Sequence, residues 1–265
     1  MPDTSTHQMT ATMPQVLTGK TALVTGASRG IGAALAEGLA AAGARVVICD
    51  LPAQAADMDA VAARINATGG KADTRALNVT DSAAIAEAVA AITEATGGID
   101  ILVNNAGILK PSRLEDLSEA DWDAHMDVNA KGVLLMTNAV IPQMRARGAG
   151  RIVNIASIAG RQGVPMQGHY ASTKATAITL TRVYAQELGP DGITVNAICP
   201  GIILTEMGRN NLGSQENIDH WTNVAALRRL GAPDDIIGPA VFFASDLSGF
   251  VTGQALNVDG GIYFH

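Results

Sequence analysis

Tyr170 and Lys174 stand four positions apart in the run Tyr170-Ala171-Ser172-Thr173-Lys174, and Ser157 precedes them with a further hydroxyl. On a helix that spacing stacks the phenol and the ammonium on one face, one turn apart. An unperturbed phenol titrates at about 10 and a neighbouring cation lowers that value, so the pair is suited to exchanging a proton near neutral pH. Tyr-x-x-x-Lys is also an ordinary solvated helix face. The chemistry therefore rests on whether the remaining chain builds a cofactor site aimed at this tyrosine.

The elements that must position it alternate along all 265 residues. Apolar, β-rich runs predict strands at 20–25, 44–49, 72–77, 101–103, 151–155, 194–198 and 255–258. Helical periodicity predicts helices at 31–42, 54–68, 82–96, 119–147, 169–188 and 234–244, with Asp81 or Ser82 as an N-cap and glycines as stops. Pro142 is expected to kink the long helix 119–147. Strands that are nearly all apolar and alternate with helices specify an α/β domain whose parallel sheet is covered on both faces. Ligands of such sheets bind at the strands' carboxyl ends.

Composition narrows the classes. A hydrophobic content of 48% supplies a core for one domain over 18–265, and only 3% aromatics suits close packing of helices on strands. A formal charge of -7 with no basic, aromatic-rich block predicts no nucleic-acid partner. Cys49 and Cys199 lie in apolar runs, which predicts buried free thiols, no metal site and a reducing, cytoplasmic setting. Residues 1–17 read as a flexible polar tail without signal-peptide character. The Ala-rich run 33–43 is far short of the roughly 20 apolar residues that span a bilayer, so no membrane segment is expected.

The first strand runs into Thr25-Gly26-Ala27-Ser28-Arg29-Gly30-Ile31-Gly32, a glycine-rich turn that opens a helix inside a βαβ unit. Glycines let a backbone approach a pyrophosphate, and the helix N-terminus offers it free amides. The same glycines serve tight turns generally. Asp50 ends the second strand about 20 residues on, where a carboxylate accepts hydrogen bonds from an adenosine ribose and repels a 2'-phosphate. Arg29 points the other way, because a guanidinium can bind a 2'-phosphate, unless it pairs with Asp50. NAD is the expected cofactor, with NADP left open by Arg29.

The fourth strand leads into Asn104-Asn105-Ala106-Gly107. Together with residues 25–32, Asn129, Ser157, Tyr170, Lys174 and Pro200-Gly201, in this order and spacing, it resembles the motif set of the short-chain dehydrogenase/reductase family over residues 18–262. The resemblance implies a single Rossmann-fold domain, a doubly wound parallel seven-stranded sheet of order 3-2-1-4-5-6-7. It implies that Tyr170 exchanges the proton during hydride transfer while Ser157 holds the substrate oxygen. Lys174 would bind the nicotinamide ribose and acidify Tyr170, and Asn129 would support a water linking Lys174 to solvent. Cofactor contacts are implied at Gly26, Ser28, Arg29, Gly30, Ile31, Gly32, Asp50, Asn105, Ala106, Gly107, Tyr170, Lys174, Pro200, Gly201, Ile203 and Thr205. Asn78-Val79 stands where the family more often has Asp-Val at the adenine. A homotetramer built on helices 119–147 and 169–188 is also implied.

The expected activity is NAD-dependent interconversion of a secondary alcohol (a sugar, polyol or simple alcohol) and its ketone. Two alternatives stay open: a 3-oxoacyl thioester reductase using NADPH, with Arg145, Arg147 and Arg182 as a docking surface for an acidic carrier, and a catalytically idle NAD-binding regulator. His169 beside Tyr170 is expected to pack or to hold a helix end, since neighbours on a helix point apart. Met166, Gln167 and Leu109 are candidate pocket residues, and the polar segment 206–220 is a candidate lid.

Overall fold

The computed structural model describes residues 13–264. β1 (Thr21–Thr25) is buried along its whole length, as a central strand covered on both faces must be. It pairs in parallel with β2 (Arg45–Asp50) and β4 (Ile101–Asn104), and β2 in turn with β3 (Lys71–Ala76). On the other side β4 pairs with β5 (Gly150–Ile155), β5 with β6 (Ile193–Pro200), and β6 with β7 (Ala255–Val258). The order β3-β2-β1-β4-β5-β6-β7 is the doubly wound arrangement expected, with its crossing point between β1 and β4.

Two cores sandwich this sheet. On one face α1 (Gly30–Ala41), α2 (Ala55–Ala67) and α10 (Ile237–Ala244) bury Leu35, Leu39, Met58, Val61 and Phe243 against Val24, Ile48 and Val153. On the other, α3 (Ser82–Thr96), α5 (Gly132–Arg147) and α7 (Gly168–Leu188) bury Ile85, Val89, Met136, Val140 and Leu188 against Leu23, Leu102 and Ile152. The Asp81 carboxylate caps α3 by accepting from the Ala83 and Ala84 amides, and Gly97 ends the helix in the left-handed region at φ +82°.

Three expectations change. The long helix is α4 (Glu119–His125), a π-helical turn over Met126–Lys131, and α5. Pro142 lies within α5, so the departure from α-geometry falls at Asn129 instead; π-turns concentrate where a helix must re-aim a side chain. The polar segment after β6 forms two helices, α8 (Glu206–Leu212) and α9 (Gln215–Val224), because Thr205 and Ser214 supply N-caps to the Gly208 and Asn217 amides. Within the expected tail, residues 1–12 lie outside the described residues, whereas Leu17 is fully buried and Gln15 Nε2 donates to the Ala41 carbonyl at 2.7 Å. A hydrophobic side chain with a site beneath α1 is held there, so the packed chain includes residues 13–17.

Candidate active site

At the carboxyl ends of β1 and β4 the glycine-rich turn is tied down by two side chains. The Thr25 hydroxyl accepts from the amides of Asn105 and Ala106 at 3.1 Å each, and Asn105 Nδ2 donates to the Thr25 and Gly26 carbonyls at 2.9 Å each. Gly26 has φ +61°, and a Cβ on it would stand 2.7 Å from Ala106 Cα; a Cβ on Gly32 would collide with the Gly26 carbonyl oxygen. These contacts require glycine, and they leave the amides at the start of α1 facing the crevice where a pyrophosphate belongs. The residues thus fit a dinucleotide.

Asp50 closes β2 beside this turn. One carboxylate oxygen accepts from the Ser28 amide (3.1 Å) and hydroxyl (2.7 Å), and the other from the Leu51 amide (2.8 Å). The expected alternative pairing with Arg29 is not formed: Arg29 pairs with Glu206 of α8 at 3.4 Å, across the crevice, because Ser28 already occupies the near oxygen of Asp50. Asn78 Oδ1 accepts from the amide and hydroxyl of Thr80, so it shapes the turn after β3, and Val79 is buried against Gly132. Ile31 packs partly buried against the first core.

The second half of the crevice brings together the tyrosine, lysine and serine singled out in the sequence. Tyr170 and Lys174 lie on α7, with Lys174 Nζ 5.6 Å from the centre of the Tyr170 ring. Lys174 is buried and donates to the Ile155 carbonyl at 2.8 Å; desolvation brings its ammonium down to about 8. Desolvation pushes the Tyr170 phenol up to about 12, against a hydrogen bond with Ser157 that lowers it. The Ser157 hydrogen bond favours the phenolate, while Lys174 turns its ammonium onto the backbone of β5 one turn from the phenol.

Asn129 is fully engaged. Its Oδ1 accepts from the Ile108 amide at 2.8 Å, and its Nδ2 donates to the Ile108 carbonyl at 2.9 Å and to Thr173 Oγ1 at 3.2 Å. Gly107 lies between Asn129 and Lys174: a Cβ there would stand 3.4 Å from Asn129 Oδ1 and 3.5 Å from Lys174 Nζ. At the end of β6 the Pro200 carbonyl accepts from Ile158, next to Ser157, at 3.1 Å, and the Gly201 amide donates to Val258 at 3.0 Å. Ile203 is buried and bridges to Gly231, while Thr205 caps α8 and lies beside Gly30. Gln167 Nε2 reaches Asn211 of α8 at 3.0 Å, and Met166, at φ +67°, accepts from the Ser112 amide at 2.8 Å.

Both cysteines are buried and free, and burial raises the Cys49 thiol to about 12. Two contributors escaped the sequence reading. Thr25 is one, since a threonine ending a strand carries no signal of accepting two distant amides. His125 is the other; it sits on α4 and meets His169 edge-on. Among the described residues no cluster of three His, Cys, Asp or Glu is placed to hold a metal, and no described helix is long and apolar enough to cross a membrane.

Residues 26–263 match the family model described as enoyl-(acyl carrier protein) reductase. The gluconate 5-dehydrogenase of Gluconobacter oxydans (strain 621H) is 42% identical over 93% of this chain and 95% of its own. The chain belongs to the short-chain dehydrogenase/reductase family. A 3-oxoacyl-[acyl-carrier-protein] reductase of Synechocystis is 41% identical over 93% of this chain and 98% of its own. Among solved structures, a gluconate 5-dehydrogenase from Burkholderia cenocepacia in complex with NADP and tartrate superposes with a TM-score of 0.90 at 38% identity, covering 95% of this chain and 98% of that one. This family member is an NAD(P)-dependent oxidoreductase of CH–OH groups that interconverts a secondary alcohol and a ketone.

Proposed function

We propose that the chain oxidises a small hydroxylated substrate, a polyol or sugar acid, with Tyr170 as the acid and base. The observation that carries this reading is the continuity of the crevice: the glycine turn contacts Asn105 and Ala106, Gly107 follows, and Gly107 abuts both Lys174 and Asn129, one turn from Tyr170. Gln167, three residues before Tyr170, bonds to Asn211 of α8, and such amides are suited to hydroxyl groups.

Gly26, Ser28, Arg29, Gly30, Ile31, Gly32, Asp50, Asn78, Val79, Asn105, Ala106, Gly107, Pro200, Gly201, Ile203 and Thr205 would hold the dinucleotide, whose nicotinamide would supply the hydride acceptor or donor. Ser157 donates to the substrate oxygen and fixes it against Tyr170. In oxidation Tyr170 accepts the hydroxyl proton; in reduction it donates that proton to the forming alkoxide. The ammonium of Lys174 keeps positive charge beside the site and contacts the nicotinamide ribose, and Asn129 holds the polar space at Gly107 through which protons exchange with solvent. Because Asp50 presents a fixed carboxylate to the ribose pocket, NAD is preferred.

One observation favours a second reading, reduction of a 3-oxoacyl thioester: Arg29 is not neutralised by Asp50 and is free to exchange Glu206 for a 2'-phosphate. Against it, Arg145 pairs with Asp191 at 2.7 Å, and Arg147 reaches the Ile99 carbonyl, so two of the three arginines of a carrier-docking face are occupied. The intact Ser157, Tyr170 and Lys174 set stands against an idle regulator. We also assign a cytoplasmic location, consistent with the free thiols, and a homotetramer through α5 and α7, where Leu134 and Val183 are exposed. The deciding experiment compares oxidation of D-gluconate and acyclic polyols with NAD and NADP against reduction of acetoacetyl thioesters with NADH and NADPH. Faster turnover of the hydroxylated substrates with NAD is expected; a strong thioester preference with NADPH would replace this reading by the second. A stable monomer in light scattering would remove the tetramer.

A further inference from the structure

The segment after Gly107 is held at alternate residues. Asn129 takes the amide and the carbonyl of Ile108, and the Ser112 amide donates to Met166. Between them, two buried histidines take both backbone groups of Lys110. The Lys110 amide donates to His125 Nε2 at 3.2 Å, and the Lys110 carbonyl lies 3.0 Å from His169 Nε2.

The partners fix both tautomers. A carbonyl only accepts, so His125 Nδ1, 2.6 Å from the Asp121 carbonyl, carries the proton and leaves Nε2 bare for Lys110. By the same argument His169 Nε2 carries its proton, while His169 Nδ1 lacks a hydrogen-bond partner within the described residues and burial disfavours the charged ring. Both rings are therefore neutral, and they meet edge-on with centroids 4.2 Å apart and planes at 87°. The charged groups bearing on the pair are Asp121 of α4 and the Lys110 ammonium, which neutralise each other at 3.0 Å, and Tyr170 follows His169 on α7.

We propose that His125 and His169 are positioning residues: they clip Lys110 between α4 and α7 and thereby fix residues 108–112 as the wall of the substrate site beside Tyr170. The arrangement is more than packing, because an aliphatic pair of similar size would fill the same volume and leave the amide and carbonyl of Lys110 unpaired. Anchoring through backbone leaves the side chains of the segment free to differ with substrate. The wall is held by α4, the π-turn and α7 and lies apart from the glycine turn and Asp50, so its displacement changes how the alcohol is seated and leaves those dinucleotide contacts in place. This role rests on the alcohol oxidoreductase reading only for its kinetic consequence; the clip itself is a property of the fold.

The test uses the full chain and two readouts. Hydrogen exchange followed by mass spectrometry reads the amides of residues 108–112 in wild type, His125→Leu, His169→Leu and His125→Gln, the glutamine keeping an acceptor for the Lys110 amide. Steady-state kinetics with D-gluconate as probe, or with the best polyol if that is faster, reads KM and kcat separately, and fluorescence titration reads NAD binding. We expect faster exchange confined to this segment in both leucine variants, KM raised about tenfold with kcat changed less than about threefold, unchanged NAD affinity, and recovery of both readouts in His125→Gln, in line with the loss of one or two buried hydrogen bonds. Unchanged exchange at 108–112, or a KM no different from wild type, would overturn the proposal. So would leucine variants whose NAD affinity falls together with kcat, or a glutamine variant no better than leucine. If wild type turns over no alcohol at all, the functional reading fails by itself and the exchange data still decide the clip.

Discussion

The two halves of the crevice are held by different means. On the β1–β2 side the glycine turn is fixed by hydrogen bonds between backbone and the side chains of Thr25, Asn105 and Asp50, and by glycines whose missing Cβ atoms leave no alternative. On the β5–β6 side and along residues 108–112, the positions are set by side chains that arrive from α4, the π-turn, α7 and α8: His125, Asn129, His169 and Asn211. Under the proposed function the first half recognises a dinucleotide through geometry built into the main chain. The second half would then suit a particular substrate, and side-chain clips can be exchanged without rebuilding the sheet. The lowered Lys174 and His169 and the raised Tyr170 lie in the second half, whereas the first half buries only the raised thiol of Cys49 on β2.

The strongest way to break the first half is Gly32→Ala. Its Cβ would meet the Gly26 carbonyl, so dinucleotide binding should be lost in a fluorescence titration, with a stability cost of about 1–3 kcal/mol in denaturant unfolding. Retained binding would show that backbone rigidity is not what makes this half. The second half is probed by Lys174→Met. With the folded lysine lowered to about 8 and the unfolded one near 10.4, the neutral form is favoured on folding. Wild-type stability should therefore rise relative to the variant as pH goes from 8 to about 10, by on the order of 3 kcal/mol, and stay parallel to it below pH 8. A flat difference across that window would mean the ammonium is solvated.

Asp50→Ala sharpens the comparison within the cofactor pocket. Removing the carboxylate should shift the ratio of NADP to NAD efficiency towards NADP by about tenfold or more, roughly 1.4 kcal/mol per decade. A smaller effect is expected of pH on the histidine clip. Burial lowers His169, so its neutral form contributes stability that is complete above about pH 6.5 and is lost as pH falls further. In denaturant unfolding, wild type should therefore lose stability as pH falls below about 6.5, and His169→Gln should lose less. The smallest change is Glu206→Gln, which releases Arg29 from an exposed ion pair; KM for NADP should improve less than about threefold.

Much of this was legible before any coordinates. The alternation of strands and helices predicts the sheet order through the family resemblance, and α3 appears over the expected residues because Asp81 and Gly97 are local signals. The structure places Tyr170 beside Ser157 and its ring centre 5.6 Å from the Lys174 ammonium, the proximity that a spacing of four gives on a helix. What was not legible depends on distance in sequence. The Arg29 partner lies on α8, Thr25 bonds to residues beyond β4, and His125 bonds to Lys110 across a loop; no local pattern encodes these pairings. The π-turn at Asn129 was hidden because a π-insertion keeps helical composition, and α8 and α9 were hidden because their Asn, Ser and Gly content resembles a loop while the caps at Thr205 and Ser214 decide otherwise.

The most direct measurement of the central claim is a single-turnover experiment in which enzyme saturated with NAD is mixed with the best alcohol substrate and the absorbance of the reduced nicotinamide is followed, in wild type and Tyr170→Phe. NAD affinity is measured alongside. With Tyr170 as the proton acceptor, the variant should bind NAD as wild type does and transfer hydride at least about a thousandfold more slowly. Hydride transfer in Tyr170→Phe at a rate near that of wild type would contradict the account.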